Sequence, residues 1–176
     1  MDMIKKRIKE LGKTELTEVF ESQKDFNFNV KDYLILEKLN LPDIYISFST
    51  EYGFHQFNED VVFKSIDKLP ITEEDNLCPV DFIYGWGSGS NSLNEIRKTF
   101  IEQIPPEYFV FAEGNAGDQL CINIENEKVY YWHHDSSKNE IYFVSDNSPS
   151  FIESLRINEI SELDDDIEEE WFADDF

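Results

Sequence analysis

From Tyr108 to Asp146 the chain carries four short apolar-rich runs, "YFVFAE", "QLCINIE", "KVYYWHH" and "IYFVSD", joined only by "GNAGD", "NE" and "DSSKNE". A parallel return needs a crossover of a dozen or more residues, so linkers this short force successive runs to pair antiparallel. In the second run Leu120, Ile122 and Ile124 alternate with Gln119, Cys121 and Asn123, the pattern of a strand with one buried face. Such a sheet needs a cover, and helical patterns earlier in the chain supply it. The expected architecture is α+β, a largely antiparallel β-sheet meander covered by helices on one face.

Those helical patterns are four. In "MDMIKKRIKELGK" Met1, Ile4, Ile8 and Leu11 share one face and cations occupy the rest, which reads as a docking helix whose charges face the chain's own acidic body. "VKDYLILEKLN" and "LPDIYISFSTEYGF" follow. In the latter, Pro42 suits a first helical turn, Ile44, Tyr45, Phe48 and Tyr52 recur at helical spacing as core positions, and Gly53 stops the helix. After Gly53 the period changes, so that "DVVFKSI" and "VDFIYGW" read as strands with "KLPITEEDNLCP" as a polar loop between them. "SLNEIRKTFIEQIP" reads as a helix with Leu93, Ile96, Phe100 and Ile101 on its apolar side, ended by Pro105 and Pro106; "SPSFIESL" reads as a short capped helix.

Charge narrows the partners. Fifteen Lys and Arg against 38 Asp and Glu give a formal net charge of -23 and a pI near 4.2. Such a surface repels phosphate backbones and anionic membranes, which argues against direct nucleic-acid or lipid binding and favours a basic protein partner. The two cysteines, Cys78 and Cys121, have no metal-ligand spacing, nothing like a signal-peptide core follows Met1, and no apolar run is long enough to cross a bilayer. The expectation is a cytoplasmic protein with free thiols. Residues 1–160 read as one domain and 161–176 as an acidic tail, "SELDDDIEEEWFADDF". Ile160, Leu163, Ile167 and Trp171 fall on one face if that tail is helical.

Two stretches invite a chemical reading. His133, His134 and Asp135 are metal-ligating or acid-base residue types, but adjacent strand residues point to opposite faces, so two histidines inside a strand would not converge on one ion. His55 is distant in sequence, and Cys121 inside a strand reads as a small buried residue. "GWGSGSNS" precedes a helix but lacks the lysine and spacing of a P-loop; it reads as a strand-to-helix connection capped by Ser90, Asn91 or Ser92. No catalytic residue, metal or cofactor is expected.

The succession of motifs resembles the SUKH superfamily, which includes fungal regulators of the Smi/Knr type and many bacterial immunity proteins. Leu41, Pro42, Tyr45, Phe48 and Gly53 match its helix signature, and Phe111, Gly114, Gly117, Asp118, Trp132 and Asp135 match its sheet signature, across roughly residues 28 to 155. Departures are Glu113 where aspartate is common, the polar stretch Ile71 to Cys78, and the tail. The resemblance implies that "GNAGD" and "VYYWHHD" build the sheet and its turns, with Asp118 and Asp135 tying turns and the Trp132 indole N–H needing a partner when buried.

It also implies a function without catalysis. The expected role is an immunity protein that neutralises a cognate basic toxin of nuclease type by stoichiometric binding; a regulatory protein-binding scaffold of the Smi/Knr type is the alternative. Asp164, Asp165, Asp166, Glu168, Glu169, Glu170, Trp171 and Phe172 in the tail are the candidate partner contacts, aromatic anchors within an acidic field.

Overall fold

The computed structural model describes residues 2–12, 14–16, 27–135 and 140–158. Met1, Ile160, Leu163, Ile167 and the tail candidates Asp164 to Phe172 lie outside them. Among the described residues no helix is long and apolar enough to cross a membrane.

The centre is the expected meander. β6 (Tyr108–Glu113), β7 (Gln119–Asn123), β8 (Val129–Trp132) and β9 (Ile141–Ser145) pair antiparallel in chain order, and the short β5 (Phe82–Ile83) adds to the β6 side. Bulges interrupt the register between Val110 and Ala112 and again between Val129 and Tyr130. The expectation of one buried face is corrected, because all five residues of β7 are buried, including Gln119, Cys121 and Asn123. Both faces of the sheet are covered, so alternation in this strand marks chemistry without marking exposure.

Helices cover the face that carries Phe109 and Ala112. α1 (Asp2–Glu10) sets Ile4 and Ile8 into the core, with Leu11 just beyond its end. Of its cations, Lys5 pairs with Glu51 at 3.2 Å and the Arg7 guanidinium donates to the Leu155 carbonyl, while Lys6 and Arg7 pair with Glu10 of the same helix. α2 (Val30–Leu36) is capped by Asn29, whose side chain accepts from the Asp32 N–H, and α3 (Asp43–Tyr52) buries Tyr45 and Phe48. Tyr45 meets Phe109 and Phe111 edge-on, while α5 (Ser148–Ser154) brings Phe151 against Phe111 and Phe63.

Two smaller sheets flank this core. β1 (Thr14–Leu16) pairs with β2 (His55–Phe57), and β3 (Val61–Lys64) lies between β4 (Leu77–Pro79) and β10 (Arg156–Ile157). β4 corrects the reading of residues 68–79 as loop alone; Cys78 at its centre is fully buried. The remainder of that loop is organised by Asn76, buried at φ 59, which accepts from the Leu69 N–H and the Thr72 hydroxyl and donates to the Ser65 and Asp67 carbonyls. The loop in turn closes the outer edge of β9: Ile66 and Asp67 donate to the Val144 and Phe143 carbonyls, and the Asp67 carboxylate accepts from the Phe143 N–H.

α4 (Leu93–Thr99) is shorter than expected. It ends at Phe100, and Ile101 is 67% exposed instead of apolar-side core, because the chain turns away before the prolines are reached.

Candidate functional site

β8 stops at Trp132, and the two histidines that follow stand in the turn beyond it. Strand alternation therefore no longer applies to them. Both turn to the same carboxylate: His133 Nδ1 lies 2.9 Å from Asp118 Oδ2, and His134 Nδ1 lies 2.6 Å from Asp118 Oδ1. The expectation that they could not converge is overturned for this reason. His55 does not join them; it sits in β2 with Nδ1 3.0 Å from the Gly53 carbonyl.

Asp118 reaches this place through the tight turn before β7. Ala116 and Gly117 take φ of 52° and 94° in succession, and at Gly117 the positive φ, with open space around it, is the reason for glycine. Gly114 serves otherwise: a Cβ there would lie 2.8 Å from the Tyr131 ring, so its absence lets Tyr131 come close. The Tyr131 hydroxyl then donates to Asp118 Oδ2 at 2.7 Å, and the His134 backbone N–H donates to Oδ1 at 2.9 Å. One buried carboxylate ties the β6–β7 turn to β8 and its following turn. Asp135 is exposed and lies 3.1 Å from His134 Nε2.

Burial alone pushes the Asp118 carboxyl up, but hydrogen bonds from the His134 backbone, the Tyr131 hydroxyl and both histidine rings outweigh it and hold it below the ordinary range. The hydrogen bond to Asp118 raises His134, burial opposes this, and the charges of Asp135 and Asp118 add to it. His134 can donate from both ring nitrogens only as imidazolium. Tyr131 is pushed up, first by burial.

The opposite face of the sheet holds a second network, in which the Tyr84 hydroxyl contacts Gln119 Oε1 at 3.0 Å and Glu113 Oε2 at 3.2 Å. Trp132 on that face packs edge-on against Phe100 with centroids 5.5 Å apart. Its buried indole N–H has no hydrogen-bond partner among the described residues. Burial pushes the Cys78 thiol up to about 11 and raises Cys121 as well, so neither is a ready nucleophile.

The glycine loop before α4 is a connection. Ser92 is the N-cap, but its hydroxyl donates back to the Gly89 carbonyl and makes no capping bond, while Trp86 donates to Ser49 Oγ at 2.7 Å. A groove of about 650 Å³ runs beside β3 and β4. It carries Glu59, Asp60, Glu73, Asp75 and Asp81, and no lysine or arginine among the described residues lines it.

The helix-signature residues Leu41, Tyr45 and Phe48 are core, with Pro42 at the N-cap of α3, one residue ahead of the expected first turn. The family model described as the SMI1 / KNR4 family (SUKH-1) matches residues 31–154. The chain belongs to that family. Within SUKH-1, both the α3 signature and the Asp118 turn fall inside the matched span. The chain is also similar to the SPbeta prophage-derived uncharacterized protein YokK of Bacillus subtilis (strain 168), 24% identical over 127 residues. That match covers 65% of this chain and 66% of the relative. No solved structure matched significantly.

Proposed function

We propose that this SUKH-1 protein is a cytoplasmic immunity protein that binds a cognate bacterial toxin and neutralises it by stoichiometric occupation, without chemistry of its own. Family membership across residues 31–154 carries the reading, and the prophage-derived relative supports it. The charge of -23 favours a basic toxin domain such as a nuclease. An acidic field accelerates encounter with a basic surface, and aromatic anchors slow release. The acidic tail, with Trp171 and Phe172 set among Asp164 to Glu170, is proposed as part of that contact. The acidic groove beside β3 and β4 adds carboxylates of the same sign.

The test is co-purification of the untagged protein with the tagged product of the adjacent gene, followed by calorimetric titration at two salt concentrations. One-to-one binding that weakens with salt is the expected result. Failure to bind, with housekeeping proteins recovered instead, would favour a regulatory scaffold of the Smi/Knr type.

A further inference from the structure

The convergence of two histidines on one carboxylate exceeds what a turn requires. We propose that Asp118, His133 and His134 form a binding site for a first-row divalent metal ion, for which zinc is the best fit. Each offers one ligand atom, and these atoms lie within 4.8 Å of one another. Two imidazoles and one carboxylate suit zinc, which takes mixed nitrogen and oxygen donors at about 2.0–2.2 Å and tolerates water as a fourth ligand. Magnesium and calcium select all-oxygen sites, so the donor set discriminates against them.

What surrounds the ligands resembles the outer shell of a metal site. Asp118 is buried and held by the Tyr131 hydroxyl and the His134 backbone N–H, which fix the direction of its remaining lone pairs. The far nitrogen of the His134 ring faces Asp135 at 3.1 Å, and a metal-bound histidine characteristically gives its other N–H to a carboxylate. Asp135 is thus an orienting group on the wrong side of the ring to ligate. His134 is exposed, which leaves an entry path and a place for water. No lysine or arginine pairs with Asp118 among the described residues, so a histidine proton or a metal ion is the cation available to it.

Each histidine nitrogen now stands at hydrogen-bond spacing from its own Asp118 oxygen, 2.9 Å for His133 and 2.6 Å for His134, whereas ligands around tetrahedral zinc sit about 3.3 Å apart. The ion would replace the ring protons and lengthen each nitrogen–carboxylate separation by about half an ångström. His133 and His134 lie beyond the last ladder pair of β8, with the His133 N–H donating to the Glu140 carbonyl and the His134 N–H to Asp118, so the adjustment falls to their side chains.

The experiment uses the full, untagged chain, stripped with chelator and dialysed, then titrated with zinc in competition with a chromophoric chelator. One zinc per chain is expected, together with a rise in melting temperature. His134→Ala, at an exposed position, should keep the far-ultraviolet dichroism of the wild type and weaken zinc binding at least tenfold; Asp135→Asn should weaken it less. Cobalt should give the visible bands of a four- or five-coordinate site, lost in His133→Ala. Absence of stoichiometric binding would overturn the proposal, and so would an affinity unchanged from the wild type in the folded His133→Ala and His134→Ala proteins, which would place the ion on surface carboxylates.

Discussion

Gly53 packs against Gly85 so closely that a Cβ on Gly53 would lie 2.4 Å from the Gly85 Cα and 2.3 Å from the Ser49 carbonyl oxygen. Both obstacles are backbone, so neither can swing aside. Gly53→Ala should destabilise by about 1–3 kcal/mol or more, the range for overpacking a close contact, measured as a lower midpoint of urea unfolding. Gly117→Ala, where space is open and only φ is adverse, should cost less.

Asp118 carries a second stability prediction. Asp118→Ala strands the Tyr131 hydroxyl and the His134 N–H, and should cost about 3 kcal/mol or more. Tyr131→Phe removes one bond to the charged group, worth about 1.5–3 kcal/mol. The two changes should be less than additive in a double-mutant cycle, because they share that bond.

A pH effect follows from Asp81. Burial raises its carboxyl, the Glu113 charge adds to this, and a hydrogen bond from the Ala116 backbone opposes it. A group whose folded pKa exceeds its unfolded value, about 3.9 for aspartate, favours the fold below that value and loses the contribution as pH rises through the folded pKa. Asp81→Asn should therefore match the wild type near pH ~3 and be the more stable of the two at pH ~7, as melting curves would show.

The thiols give a direct check on burial. Cys78 and Cys121 are both buried in the native protein. Neither should react with a thiol reagent over minutes, and both should react after unfolding; early labelling of either one would contradict its burial.

For the proposed toxin contact, truncation after residue 160 should weaken binding and flatten its salt dependence. Trp171→Ala with Phe172→Ala should speed dissociation with little change in association. Unchanged affinity in both would remove the tail from the interface.

The meander was legible because short linkers permit one kind of pairing, and the core residues of α1 and α3 were legible from helical spacing. The candidate site was not. Its reading extended a strand through "KVYYWHH", and a strand end shifted by two residues reverses whether neighbouring side chains can meet. β4 was hidden for another reason: "LCP" ends a polar stretch, and only pairing with β3 makes Cys78 interior. Gly53 caps the end of α3 without the left-handed backbone usual for a glycine stop. Its φ is -61°, and Phe54 takes the positive φ of 64° instead. Close approach between segments distant in sequence leaves no local pattern.

The loop that Asn76 holds against β9 bears on how this protein can meet others. A bare outer strand invites another chain to extend the sheet, a mode of recognition in which backbone supplies affinity and sequence matters little. With residues 66 and 67 already bonded to Phe143 and Val144, a visitor at the middle of that rim finds side chains in place of free backbone. Recognition at this rim is thereby a matter of surface residues, which can be exchanged one at a time while the sheet beneath them stays as it is.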